Sequence, residues 1–179
     1  MPVQRARPVV CAEEAESQYS WVGKTRGEDN VMTRHNRVTS EGQIRQLIEN
    51  WTAALRAKDT KGLMSHYAPD VVVYDLAPPL RLMGTAGYAR GWEEWFGSFD
   101  GPVGYEVHHL SVTAGDDVAF STSLNRLSGR RTNGGYSDVW VRATVGYRKH
   151  DGGWKIAHEH VSVPLYMDGS NKAALDLKP

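Results

Sequence analysis

The sequence has little cysteine, no excess of charge and no long apolar run. Its 179 residues include one cysteine, so neither an internal disulfide nor a cysteine-based zinc site can form within the chain. The 21 basic and 21 acidic side chains cancel, which disfavours the basic surface of a nucleic-acid-binding protein. No stretch approaches the roughly 20 apolar residues of a membrane-spanning helix. We therefore expect a cytoplasmic globular protein that binds neither nucleic acid nor membrane.

Aromatic side chains, by contrast, are plentiful. The chain holds six tryptophans and eight tyrosines, and it is long enough for one domain that buries roughly 70% of its unfolded surface. Small-molecule pockets are built from aromatic walls with a few polar groups. The composition thus favours a cavity for a small hydrophobic molecule.

The chain divides into three parts by sequence pattern. Residues 1–38 mix proline, glycine and charged side chains without an apolar period, so we expect a poorly ordered leader. The pattern leaves open whether Met32 is the true translation start. Residues 39–170 form the predicted domain, and residues 171–179 form a C-terminal tail.

The first half of the domain predicts three helices and one strand. Ser40 and Gln43 fit a capping box at the start of the first helix, and Asp59 is placed to cap the second, which Pro69 closes. A β-branched run at 71–74 predicts a strand, and a third helix covers about 85–99. The apolar residues at helical spacing in the two longer helices are Ile44, Leu47, Ile48, Trp51, Leu55, Tyr88, Trp92, Trp95 and Phe96.

The second half predicts four strands joined by short turns. The strands are expected at 103–114, 117–128, 137–149 and 153–165, with a bulge at His108 and His109 where the apolar phase shifts. Helices followed by an antiparallel meander predict an α+β fold. In it a curved antiparallel sheet wraps around the three helices, and the early strand lies at an edge.

Strand periodicity suggests which side chains line the cavity. Alternate residues point the same way, so His158, His160 and Ser162 are expected on the face of Trp154 and Ile156. The alternatives are hydrogen-bonded core histidines or a contact with a partner subunit. A His-x-His pair can chelate a metal, but the sequence offers no third ligand, so we predict no metal site.

The neighbouring strand is interpreted in the same way. Trp140 and Arg142 are expected on the pocket face, where Arg142 would bind a ligand carboxylate or an internal one. Asn125 either lines this cavity or faces solvent. Aromatic substrate contacts are expected from Trp51, Tyr74, Trp92, Trp95 and Phe96; the alternative for the last three is a place in the hydrophobic core. The opposite strand face is apolar and predicts a homodimer through Val139, Val141, Val145, Val161 and Val163.

Short motifs give the chain a family resemblance. It resembles the SnoaL-like, ketosteroid-isomerase-related branch of the nuclear-transport-factor-2-like superfamily, whose domain is a cone-shaped α+β fold. The resemblance covers about residues 41–166. It rests on WTAAL at 51–55, HYAPD at 66–70, VYD at 73–75, GGWKI at 152–156 and HEHVS at 158–162.

The resemblance implies roles for particular residues. Asp75 falls at the position of the isomerase's general base, and Trp51 falls where the isomerase has its oxyanion-hole tyrosine. No carboxylate stands near Thr144 or Gly146, where the second oxyanion donor would be, so the isomerase's own oxyanion hole is missing. The implied function is a cofactor-free acid–base enzyme, of isomerase, cyclase or lyase type, acting on a hydrophobic carbonyl compound. Asp75 would be its base, and His158 and His160 its electrophilic or proton-shuttling partners. The alternative is a non-catalytic ligand-binding or dimerisation module on the same fold.

Overall fold

The computed structural model describes the backbone of residues 28–179 and the side chains of residues 39–179. Three helices and six strands make up this part of the chain. The helices are α1 (Glu28–Arg56), α2 (Thr60–Met64) and α3 (Thr85–Gly97). The strands are β1 (Tyr67–Tyr74), β2 (Leu82–Met83), β3 (Gly104–Ala114), β4 (Val118–Arg130), β5 (Tyr136–His150) and β6 (Gly153–Ser162).

The strands form one open sheet against which the helices pack. Its order is β2-β1-β6-β5-β4-β3, and every neighbouring pair is antiparallel except β1 and β6, which run parallel. The α+β architecture predicted from the sequence is confirmed. Two details differ: the sheet is mixed, and the short β2 lies outside β1, so β1 is not the edge strand.

The first helix is longer than the sequence pattern predicts. It begins at Glu28, so Ser40 lies buried in the helix interior and the predicted capping box is wrong. The physical reason is that residues 28–41 contain neither proline nor glycine, and nothing interrupts the helix there. Residues 28–38 of the predicted leader are therefore helical, whereas residues 1–27 lie outside the described residues.

The segment after α1 confirms one prediction and corrects another. Asp59 caps α2 as expected, since its Oδ1 accepts a 2.9 Å hydrogen bond from the Gly62 amide. The helix ends at Met64, however, and Tyr67 already belongs to β1. Pro69 lies where the pairing of β1 with β6 is irregular, and there its missing N–H costs no ladder bond.

The hydrophobic core lies between the helices and one face of the sheet, which we call the inner face. Its fully buried members are Ile44, Leu55, Leu63, Val71 and Val73. The predicted bulge in β3 is confirmed, because the β3–β4 register shifts between His108 and Ser111 and His109 has a φ of 51°. Within the described residues, no helix is long and apolar enough to cross a membrane.

A second bulge, in β6, decides which side chains reach the inner face. Ile156 pairs with Tyr147 and His158 pairs with Gly146, so Ala157 is an extra residue in β6. The alternation inverts after it. Glu159 therefore follows Ile156 onto the inner face, and His160 points to the opposite, outer face. The prediction that His158, His160 and Ser162 share the face of Trp154 is wrong for this reason.

The faces of β5 are also the reverse of those predicted. Val141 and Ala143 are buried, whereas Arg142 and Thr144 are exposed on the outer face. Trp140 packs on that outer face against the ring of His108, at 4.9 Å between centroids. Three of the valines assigned to a dimer interface face the cavities inside the protein instead: Val141, Val145 and Val161. That interface is wrong, and the homodimer itself stays a prediction.

Candidate functional site

A cavity of about 700 Å³, the main cavity, opens between α3, the segment following β1 and the inner face of the sheet. Asp75 and Glu159 lie within it, and Arg90 and Glu94 of α3 also line it. Most of the remaining lining is apolar: Leu76, Ala77, Pro78, Pro79, Leu82, Trp92, Trp95, Leu127, Val141 and Val161. An apolar chamber with a few polar groups is suited to a small organic molecule.

Glu159 is the most deeply placed charged group of the main cavity. Glu159 is only 5% exposed, because the bulge in β6 turns its side chain towards the inside of the protein. Its Oε2 accepts hydrogen bonds from the hydroxyls of Tyr67, at 2.6 Å, and Tyr88, at 3.2 Å. The Tyr67 oxygen in turn accepts a 2.9 Å bond from Nε1 of Trp51. Three elements, α1, β1 and α3, thus hold this one carboxyl.

The environment of Glu159 places its titration near neutral pH. Burial raises its pKa to about 7, and the negative charge of Asp75 acts in the same direction. The hydrogen bonds from Tyr67 and Tyr88 oppose this rise because they stabilise the ionised form. Both protonation states are therefore accessible at neutral pH, as general acid–base chemistry requires.

Asp75 provides a second carboxyl in the same cavity. It follows the last residue of β1 and is half-buried, and burial raises its pKa. A 2.6 Å hydrogen bond from the Leu76 amide to Oδ1 opposes the rise and fixes the carboxyl. The two carboxyls differ in burial, which favours different protonation states in one site.

A smaller cavity of about 40 Å³, the inner cavity, lies between α1 and the sheet. Its polar lining comes from β4, β5 and β6: Ser121, Ser123, Asn125, Tyr147 and Glu159. The amide of Asn125 donates a 2.8 Å bond to the Tyr105 hydroxyl, and the Ser121 and Tyr147 hydroxyls lie 2.9 Å apart. Glu159, Trp51 and Tyr105 line both cavities.

Comparison with known proteins identifies the family. The profile of the SnoaL-like domain matches residues 44–166. A nuclear-transport-factor-2-like protein of unknown function from Pseudomonas putida is 39% identical and superimposes with a TM-score of 0.72, covering 79% of this chain and 98% of its own. The chain belongs to the SnoaL-like family.

More distant structures share the fold of this SnoaL-like protein. A candidate scytalone dehydratase from Novosphingobium aromaticivorans is 17% identical with a TM-score of 0.67, covering 79% of this chain and 95% of its own. A candidate dehydratase from Streptomyces avermitilis is 18% identical with a TM-score of 0.63, covering 73% of this chain and 99% of its own. Comparison with curated proteins finds no match.

Part of the predicted site of the SnoaL-like protein comes together. Trp51, Trp92 and Trp95 line the main cavity beside Asp75. Phe96 packs behind them in the core, with its ring 5.6 Å from that of Trp92. Asn125, for which the sequence left two positions open, lines the inner cavity.

The other predicted residues lie on the outer face of the sheet. His158 Nδ1 lies 2.9 Å from the Val72 carbonyl oxygen, and the Tyr74 ring contacts those of His158 and His160 at 4.9 and 5.8 Å. Arg142, Trp140 and Ser162 share this face. The structure therefore separates the two histidines from Asp75. Among the described residues, no three His, Cys, Asp or Glu side chains form a group that could hold a metal ion.

Sequence reasoning missed Glu159, Tyr67 and Tyr88. A signal for Glu159 was present in the apolar residues at odd positions of the last two strands, Val141, Val145 and Val161. These valines indicate that the strand face carrying the odd-numbered residues is buried. Glu159 is the one charged residue at an odd-numbered position of β6 after the bulge. Tyr67 was assigned to a helix, which hid its inward direction at the start of β1.

Proposed function

We propose that this SnoaL-like protein binds a small hydrophobic carbonyl compound in the main cavity and transfers protons on it with Asp75 and Glu159. One observation carries the proposal. A buried carboxyl that titrates at about pH 7 shares an aromatic-walled cavity with a second, more exposed carboxyl. The chemistry needs no cofactor, because both proton-transferring groups belong to the chain.

The two carboxyls divide the work according to their burial. Asp75 is the more exposed, so it is the better placed to be ionised and to remove a proton from the carbon beside the carbonyl. Protonated Glu159 donates its proton to the carbonyl oxygen, and the product of this step is an enol. Glu159 is left ionised, and the hydroxyls of Tyr67 and Tyr88 stabilise that charge.

The tyrosines are suited to this supporting role. Burial and the charge of Glu159 raise the pKa of Tyr67 and of Tyr88 well above that of a free tyrosine. Both hydroxyls therefore keep their protons at neutral pH and act as donors. The Trp51 indole, placed by resemblance at the oxyanion position, donates to Tyr67 and acts through it on Glu159.

Proton exchange on ring-bearing ketones tests the proposal. Benzylacetone, an apolar ring with one carbonyl, is incubated with the protein in deuterium oxide, and deuterium uptake beside the carbonyl is followed by NMR. We expect exchange above the buffer rate. We expect Asp75→Asn and Glu159→Gln each to lower it by ~10²–10⁴, while tryptophan fluorescence reports unchanged binding.

A matched control uses an exposed aspartate. Asp116→Asn, in the turn between β3 and β4, leaves exchange unchanged. Ketones that bind without any exchange identify a non-catalytic binding module and overturn the proposal. A panel of ring ketones that neither bind nor exchange overturns the substrate class as well.

The cytoplasm stays the predicted location, because a chain with one cysteine has no need of an oxidising compartment.

A further inference from the structure

The side of α3 that borders the main cavity carries two glycines. Gly87, Gly91, Glu94 and Ser98 all line this cavity. At 3.6 residues per turn, these four positions fall within an arc of about 60° around the helix axis. Along the half of that arc occupied by Gly87 and Gly91, which we call the glycine face, the cavity wall is helix backbone without side chains.

The fold itself does not require glycine at either position. Both residues lie within α3, and neither has a left-handed backbone. A Cβ added to Gly91 would meet no atom within 4 Å, and one added to Gly87 would meet only Cδ2 of Leu82, at an ordinary contact distance of 3.8 Å. Glycine inside a helix is less stable than alanine, because it loses more conformational freedom on folding. The two glycines therefore weaken α3 and leave empty space along the cavity.

A buried polar atom in the same cavity points to a ligand. Glu159 is 5% exposed and lines the main cavity, and its Oε1 forms no hydrogen bond with any residue that the structure describes. Buried polar atoms normally have a hydrogen-bond partner. Since Oε2 accepts the hydroxyls of Tyr67 and Tyr88, the proton of the neutral carboxyl belongs on Oε1. This oxygen is therefore the one that can donate to a ligand carbonyl.

The glycine face and this carboxyl lie close to each other. Tyr88 follows Gly87 directly in α3, and its hydroxyl reaches Oε2 of Glu159 at 3.2 Å. One tyrosine side chain thus spans the distance from the helix to the carboxyl. A ligand of ring size that rests on the glycine face can extend over a similar distance and place a carbonyl oxygen at Oε1.

We propose that Gly87 and Gly91 determine substrate specificity, and that a flat, fused-ring ketone lies with its ring face against them and its carbonyl oxygen at Oε1 of Glu159. This inference rests on the proposed function and adds the shape of the substrate. Without Cβ atoms, the helix backbone lets a flat ring approach closely over its whole area, which maximises the dispersion contacts. A single ring on a flexible chain gains less from the same surface.

Side chains added at position 91 test this role of the glycine face. Gly91→Leu fills the space, and we expect the dissociation constant of 2-acetylnaphthalene, measured by calorimetry, to rise at least about tenfold. Benzylacetone is also a methyl ketone, but its single ring can move away from the helix, so its dissociation constant should rise less than about threefold. Gly91→Ala should give a smaller rise for 2-acetylnaphthalene than Gly91→Leu.

Thermal unfolding with a matched control separates ligand contact from a structural need for glycine. Gly91→Ala should raise the unfolding temperature by about 2–4 °C, because alanine favours the helix and no atom is displaced. Gly42 is an exposed glycine inside α1 that also has no atom within 4 Å of its Cβ position, and it lines neither cavity. Gly42→Ala should give a similar rise. Gly42→Ala and Gly42→Leu should leave both dissociation constants unchanged.

The results of these measurements decide the inference. It is overturned if Gly91→Leu weakens neither ketone or weakens both equally. A lower unfolding temperature in Gly91→Ala also overturns it, because the glycine would then have a structural role.

Deuterium exchange on the two ketones reports separately on the proposed function. If position 91 controls the binding of 2-acetylnaphthalene but neither ketone exchanges, the specificity role stands and the proposed catalysis is overturned. Exchange on benzylacetone without binding of 2-acetylnaphthalene overturns the specificity role and leaves the proposed function standing. Binding of neither ketone overturns both.

Discussion

The Tyr67 hydroxyl donates a 2.6 Å hydrogen bond to Oε2 of Glu159, a residue 92 positions away in the chain. The parallel pairing of β1 with β6 brings the two residues together, and the bulge at Ala157 turns Glu159 towards the tyrosine. This bond opposes the effect of burial on the carboxyl. The balance between them keeps the pKa near neutrality instead of far above it.

Removing the hydroxyl is expected to raise the pKa of Glu159. In Tyr67→Phe the carboxyl stays buried but loses its shortest hydrogen bond, so its pKa moves above about 7. NMR titration of the Glu159 carboxyl carbon, assigned with Glu159→Gln, measures the change. Tyr166→Phe removes an exposed hydroxyl that binds Asp176 and serves as the control. A pKa that stays constant or falls in Tyr67→Phe would show that the bond does not stabilise the ionised carboxyl.

Stability should depend on pH through the same carboxyl. The fold raises the pKa of Glu159 from 4.5 to about 7, so the folded state binds the proton more tightly than the unfolded chain. Its contribution to stability is therefore fully present below about pH 4.5 and is lost as pH rises to about 7. The loss is roughly 3 kcal/mol at most.

Comparison with Glu159→Gln isolates this contribution, because glutamine is neutral at every pH and has nearly the same shape. Urea unfolding of both proteins across the range measures the difference in unfolding free energy. We expect the wild type to lose stability relative to the variant as pH increases. Parallel pH profiles for the two proteins would contradict the burial of an ionisable Glu159.

Catalytic rate should fall as pH rises above about 7, because Glu159 then loses the proton it donates. Rates of benzylacetone exchange measured over the pH range give the apparent pKa. In Tyr67→Phe the fall should shift to higher pH, in the direction of the NMR titration. A descending limb that does not move with the measured pKa of Glu159 would assign the acid to another group.

The homodimer predicted from the sequence needs a different surface from the one first assigned to it. Val141, Val145 and Val161 face the cavities inside the protein, whereas the outer face carries Tyr74, Trp140, Arg142, His158 and His160. We expect a dimer through these outer positions, measured by sedimentation at tens of micromolar, roughly the range in which an interface of ordinary strength associates. A monomer at those concentrations would contradict it.

The sequence pattern was sufficient for the order of the three helices and the five longer strands, though not for the short β2, because that order depends on local signals. The Asp59 cap, the helical spacing of Tyr88, Trp92 and Phe96, and the turns between the later strands are all encoded within a few residues. Asp75 could be placed in the cavity through the family resemblance, since it directly follows a strand whose inward residues are Val71 and Val73.

The carboxyl at the centre of the site depends on long-range pairing that the pattern does not contain. Counting alternate residues from Trp154 works as far as Ile156, and the extra residue Ala157 then inverts every later assignment. A bulge is stabilised by the partner strands on both sides, here β5 and β1, and neither register could be read locally. For that reason alone the prediction put His158 and His160 on the inner face, where the structure has Glu159.

The outer position of the two histidines leads to a direct test of whether they take part in catalysis. His158 and His160 contact Tyr74 on the outer face and line neither cavity. The double variant His158→Gln/His160→Gln should therefore keep benzylacetone exchange within about threefold of the wild-type rate, an effect below about 1 kcal/mol. Glu159→Gln, one residue from each, should lose ~10²–10⁴ in the same assay. Equal losses in the two proteins would mean that the histidines reach the substrate from the outer face, and the acid would then have to be sought there.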